Sequence, residues 1–118
     1  MTPQEIADRL YELCQIADYD TAHSELFAEN ATSTEPNRTG TLQTVTGMEA
    51  INEKMKQFNK SVVEMHDSFV GDPYVFGNYI FMEFNMDLTM KDAPRMEMNE
   101  MAVYEVKDGK IISQRFYY

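Results

Sequence analysis

Residues 79–91 constrain the chain more than any other stretch. Ile80, Met82, Phe84, Met86, Leu88 and Met90 fall on one parity. Glu83, Asn85, Asp87, Thr89 and Lys91 fall on the other, after Tyr79 and Phe81. This period of two predicts a long strand with one apolar and one mostly polar face. A half-covered sheet needs something to bury its apolar face. Lys91-Asp92-Ala93-Pro94 predicts a turn, 95–106 the next strand, and 111–118 a returning one after Lys107-Asp108-Gly109-Lys110. Asp-Gly suits a tight hairpin.

The first half supplies the cover. Thr2, Pro3 and Glu5 form a helix-start signal, and Ile6, Leu10, Leu13 and Ala17 follow at helical spacing. Asp18-Tyr19-Asp20 breaks that run. A short helix is expected over about 20–28, a Thr-rich strand over 31–35, a turn over 36–40 and a strand over 42–46. A third helix over 47–60 places Met48, Ile51, Met55 and Phe58 on one side. Strand character resumes at Val62. Helices first and antiparallel hairpins second define an α+β chain. Its expected architecture is a sheet curled around helices and open at one end, with a cavity between them. The 118 residues fit one domain, 1–118.

Charge narrows the function. Twenty acidic residues against ten basic ones give a net charge of -10. Such a chain repels phosphate backbones, so no nucleic acid is expected as a partner. No polybasic patch or apolar run of ~20 residues points to a membrane. Cys14 is the sole cysteine, and the N-terminus lacks a basic start followed by an apolar run, so a cytoplasmic setting is expected. Asn30-Ala31-Thr32 and Asn37-Arg38-Thr39 match the glycosylation sequon by chance on this reading. His23 and His66 have no metal-ligand spacing, so neither a metal nor another cofactor is expected.

Several segments carry a family likeness: Leu26-Phe27-Ala28-Glu29-Asn30-Ala31-Thr32, Glu35-Pro36, Gly47-Met48-Glu49-Ala50-Ile51, and Tyr104 to Ile112 with the closing strand. Through them the whole chain resembles the nuclear-transport-factor-two-like superfamily, which includes the SnoaL-like polyketide cyclases and the ketosteroid isomerases. The resemblance implies three helices packed on a curved, mostly antiparallel sheet, a cystatin-like roll enclosing a conical pocket. It also implies a homodimer joined through the sheet. Enzymes, ligand binders and docking modules share this fold.

Compared with the isomerases, Glu35 before Pro36 matches the general-base carboxylate. Tyr11, sixteen residues before Phe27, matches the oxyanion-hole tyrosine. Ala102 occupies the place of a protonated aspartate, so that donor is missing, and Glu100, on Ala102's face, is the nearest substitute. Phe116 and Tyr118 are implied to enter the pocket.

Each candidate has a plainer alternative. Glu35 is a base or a solvated turn residue. Tyr11 is a donor or a packed helix ring. His66 is a proton shuttle or a satisfied strand histidine, grouped by alternation with Glu64 and Ser68. His23 is expected on a polar helix surface. Glu83, Asp87, Glu97 and Glu100 form an acidic band, either acid–base groups or a solvated face. With a four-residue loop at 91–94, Asp87 opposes Met98, Glu83 opposes Ala102 and Glu100 faces Asn85. Met65, Met82, Met86, Met90, Met96, Met98 and Met101 indicate either a plastic apolar pocket or a core with a dimer face.

The resulting expectation is a pocket for an apolar small molecule, with proton transfer beside a carbonyl. Glu35 would be the base, Tyr11 the oxyanion donor, and Glu100 or His66 a second polar group. Phe116, Tyr118, Met101 and Ala102 would shape the walls. A non-catalytic binding, dimerisation or protein-docking module is the alternative.

Overall fold

A computed structural model describes residues 1–36 and 42–118. The turn expected at 36–40 and the sequon at 37–39 therefore lie largely outside the described residues.

The helices form where the capping signals place them. In α1 (Pro3–Gln15) the Thr2 hydroxyl accepts from the Glu5 amide and the Glu5 carboxylate accepts from the Thr2 amide. Its stripe Ile6, Ala7, Leu10, Leu13 and Cys14 is buried. The helix ends before Ala17, whose φ is 56°. Asp18 then caps α2 (Tyr19–Leu26) by accepting from the Thr21 amide at 3.2 Å. Phe27 is already extended, so β1 runs Phe27–Pro36, starting earlier than expected. Then come β2 (Leu42–Thr46), α3 (Met48–Ser61), β3 (Val62–Val70), β4 (Tyr74–Phe76), β5 (Tyr79–Met90), β6 (Arg95–Lys107) and β7 (Lys110–Tyr117).

One sheet takes the order β2-β1-β7-β6-β5-β3, with β4 added beside β5. Only the β1–β7 pair is parallel among the pairings described. This is an α+β fold of three helices on a mostly antiparallel sheet that is not closed. Asp108 and Gly109, with φ of 52° and 77°, make the tight β6–β7 hairpin.

The register of β5 and β6 differs from expectation by one residue. Thr89 pairs with Arg95, because the loop takes in Met90 and turns through Asp92 at positive φ. Glu100 therefore sits beside Phe84, Glu83 beside Met101 and Asp87 beside Glu97. The acidic band splits. Glu100 shares the inner face with Ala102 and Tyr104. Glu83, Asp87 and Glu97 lie outside, where Arg95 clamps Asp87 with contacts of 2.9 and 2.7 Å.

The core lies where α1 and α2 cover the sheet. Ile6, Leu10, Leu26, Ile80, Met82 and Ile111 are sealed there. By contrast, α3 buries only Ile51 fully, and Met48, Met55 and Phe58 stay half-buried. No helix of the described residues is long and apolar enough to cross a membrane.

Ile80→Ala should cost about 2–5 kcal/mol in urea unfolding, because it leaves a cavity in a sealed core. Phe58→Ala should cost clearly less, because the ring already borders open space. Equal losses would show that the space beside α3 is packed.

Candidate functional site

The half-buried face of α3 borders a cavity of about 610 Å³ between helices and sheet. That is ample for a ligand of drug size. One end is apolar, with Phe58, Met65, Met86 and Met98 among its residues. Met82 belongs to the core and Met101 to the outer face, so the methionines divide between several roles.

Polar side chains converge on the middle from four elements. Glu35 comes from β1, Lys54 from α3, Glu100 from β6, and Ser33 and Gln114 from the paired strands β1 and β7. Lys54 Nζ lies 2.8 Å from Glu35 Oε1 and donates at 3.4 Å to Ser33 Oγ. Ser33 Oγ also accepts from Gln114 Nε2 at 3.0 Å. Glu100 has no hydrogen-bond partner among the described residues. Burial, then the nearby Glu35 charge, pushes its carboxyl up to about 7, against a smaller lowering by Lys54. Tyr118 closes this region, its hydroxyl donating to the Pro36 carbonyl at 3.1 Å. Burial, with Glu35 and Glu100 nearby, raises that phenol to about 12.

The closed end is lined by Cys14, Tyr19, His23, Phe27 and Tyr104. His23 Nδ1 lies 2.7 Å from Asn52 Oδ1 of α3. Its ring packs edge-on against Phe27 at 5.0 Å, and Phe27 packs against Tyr104 at 6.3 Å. Burial drives the Cys14 thiol and the Tyr19 phenol up to about 12. The Tyr104 phenol is also pushed well above its ordinary value, mainly by burial.

The structure thus brings Glu35, Glu100, Phe116 and Tyr118 to one cavity. It leaves four candidates outside its lining. Tyr11 stands beside Asp72, whose carboxylate pushes its phenol up. Met101 is 41% exposed on the outer face, because its parity opposes that of Ala102. Ala102 is sealed in the core between its strand neighbours Met82 and Phe116. His66 stands at a register shift in β3, between Met65 and Asp67. It meets Glu64 at 2.9 Å and Thr89 at 2.8 Å. The shift breaks the expected alternation, so Met65 and Ser68 border the cavity instead.

His23 corrects the sequence expectation in the other direction, since it is buried. It lies with Tyr19, Ala22 and Leu26 at helical spacing, as Lys54 lies with Ile51, Met55 and Phe58. That spacing was the available signal for both. No cluster of three metal-ligating side chains occurs among the described residues.

The fold and this lining define a SnoaL-like protein. The family profile for the SnoaL-like domain spans residues 1–118, and the chain belongs to that family. It is similar to a protein of Mesorhizobium loti given two names, candidate SnoaL-like polyketide cyclase and carbohydrate phosphatase. The two share 34% identity over the full length of both chains, with a TM-score of 0.91. A candidate isomerase of Bacillus subtilis is 23% identical, with coverage of 99% of this chain and 88% of that one and a TM-score of 0.71. A candidate SnoaL-like cyclase of Jannaschia is 14% identical over 98% and 83%, with a TM-score of 0.77. These last two show the fold alone. No curated protein matches the chain.

Glu100 has a measurable cost. Unfolded, it ionises near 4.5; folded, it keeps its proton to about 7. Stability is therefore full below 4.5, falls between those values and stays reduced above them. At about 1.4 kcal/mol per unit, the loss is on the order of 3 kcal/mol. Glu100→Gln should match the parent below pH 4.5 and exceed it above pH 7 in urea unfolding. A difference independent of pH would refute the burial of this carboxyl.

Proposed function

We propose that the cavity binds an apolar carbonyl compound and moves a proton beside its carbonyl, as in an isomerisation or cyclisation. One observation carries this reading: two carboxyls, from β1 and β6 of the same sheet, line one largely apolar cavity, one ion-paired and the other alone and desolvated. Glu35, as carboxylate, takes the α-proton. The C–H electrons pass to the carbonyl oxygen and form an enolate. Protonated Glu100 donates a hydrogen bond to that oxygen. As Glu35 is neutralised, negative charge moves to the enolate, and Lys54 retains an anion nearby. Return of the proton to another carbon completes an isomerisation. The donor role of Glu100 requires its proton, so activity should decline as pH rises through about 7.

Exchange of the α-protons of 4-phenylcyclohexanone into D2O, followed by NMR, tests the reading. The protein should accelerate exchange, and Glu35→Gln should lose about 100- to 10,000-fold. Exchange no faster than in buffer, or unchanged by the substitution, would rule out the base role. Binding without exchange would leave a ligand-binding protein.

A second copy of the chain is the partner proposed for the outer sheet face. Phe81, Val103 and Arg115 form one row there, and Glu83, Met101 and Tyr117 the next. Met101 and Tyr117 are 41% and 53% exposed. Arg115 shares this face with acidic Glu83 and Glu105, so the face carries both signs of charge and suits pairing with its own copy about a two-fold axis. The chain should sediment as a dimer at micromolar concentration, and Met101→Glu as a monomer. A monomeric parent would refute this assembly.

A further inference from the structure

The acid–base reading uses the middle of the cavity and leaves its closed end without a role. That end carries polar atoms that no group of the described residues partners. The Tyr104 hydroxyl and His23 Nε2 have no hydrogen-bond partner among the described residues, although the two residues are only 3% and 6% exposed. Among those residues no sealed side-chain polar atom lacks a partner, so both atoms retain surface, and both residues line the cavity. Both residues are deeply buried, so the only surface left to these two atoms is that which they keep as part of residues lining the cavity, where a ligand group can meet them.

We infer that His23 and Tyr104 form a second binding locus, which takes a neutral hydroxyl at the end of the ligand remote from its carbonyl. The chemistry of the two groups is complementary to a hydroxyl. With Asn52 Oδ1 accepting, Nδ1 carries the imidazole proton and Nε2 is an acceptor. Tyr104 supplies an O–H donor, and the Tyr19 phenol lines the same end. A hydroxyl both donates and accepts, so one group satisfies His23 and Tyr104 together. The rings are held for this by the edge-on packing of Phe27 against each.

A charged terminus fits poorly. Neither Lys, Arg, Asp nor Glu is among the residues lining the closed end, and the nearby thiol and phenols are held neutral by burial. An ammonium or carboxylate would lie there desolvated and unpaired. Spacing sets the ligand's shape. Glu100 and Tyr104 are four residues apart on β6, about 13 Å along the backbone. The ligand class is therefore an elongated apolar ketone hydroxylated at its far end. This inference rests on the acid–base reading only for placing the carbonyl beside Glu35 and Glu100.

Calorimetric titration with 4-phenylcyclohexanone and its para-hydroxyphenyl analogue tests it. The added hydroxyl should tighten binding by about tenfold, the worth of one good hydrogen bond. His23→Phe and Tyr104→Phe should each remove that preference and leave affinity for the plain ketone within about twofold. Both keep an aromatic ring, and thermal melts confirm folding. Equal affinity of the parent for the two ketones, binding of neither, or a preference that survives both substitutions would overturn the locus. The α-proton exchange of the same ketones separates the two readings. Preference without exchange refutes the acid–base role alone, and exchange without preference refutes the hydroxyl locus alone.

Discussion

The strands of this sheet are longer than the helices that cover them. At about 3.3 Å per residue, β5 and β6 each extend roughly 40 Å. At 1.5 Å per residue, α1 and α3 each extend roughly 20 Å. One helix length cannot seal the concave face. Where α1 and α2 lie on the sheet, Ile80, Met82 and Ile111 are sealed against Ile6, Leu10 and Leu26. Farther along the same strands Phe84, Met86, Met98 and Glu100 meet open space, with the half-buried stripe of α3 across from them. The hollow follows from this mismatch, and every polar group of the site depends on it.

That geometry explains how Glu100 is tolerated. A carboxyl at a sealed position would need a partner or lose most of the fold's stability. On the cavity wall it is desolvated enough to hold its proton to about 7, yet still has surface through which to relax. Glu35 is treated differently by the same cavity. Lys54 neutralises it at 2.8 Å, and Ser33 and Gln114 hold Lys54 in place from the sheet. Two carboxyls of one chemistry thus acquire different states from their surroundings. Such separation is what acid–base work at one site requires.

Much of this was legible in the sequence, for reasons that can be named. The parity of Ile80 to Leu88 announced the inner face, and the Thr2–Glu5 box and Asp108-Gly109 turn announced element ends. The family resemblance singles out Glu35, Phe116 and Tyr118, and the parity it shares with Ala102 along β6 singles out Glu100; all four line the cavity, and Ala102 does not. His66 falls outside the lining because β3 shifts register at that residue and once before it, and a register shift leaves no periodic trace. The β5–β6 register slipped because the turn recruits Met90, a residue whose pattern continues the strand. The short, polar sequence of α2 predicts a surface position for His23, although its helical neighbours Tyr19, Ala22 and Leu26 all turn inward. Tyr11 lies outside the lining because of the helix face it occupies. It is half-buried beside the Asp72 carboxylate, outside the lining to which Leu10 and Cys14 belong.

Belonging to the SnoaL-like family settles the frame and leaves the chemistry to the lining. The isomerase likeness implied a phenol at Tyr11 and noted a lost carboxyl at Ala102. In this chain Ala102 is sealed, and the carboxyl stands two residues earlier on the same face. A shift of two along a strand preserves the side and moves the group by about 7 Å. Glu100 is thereby drawn away from the closed end and toward Glu35 and Lys54. A ligand whose carbonyl meets Glu100 then has unoccupied cavity behind it, bordered by His23, Tyr19 and Tyr104. On the proposed reading the two fit together: with the donor at Glu100 rather than at Ala102, the cavity bordered by His23, Tyr19 and Tyr104 is left for a second point of recognition.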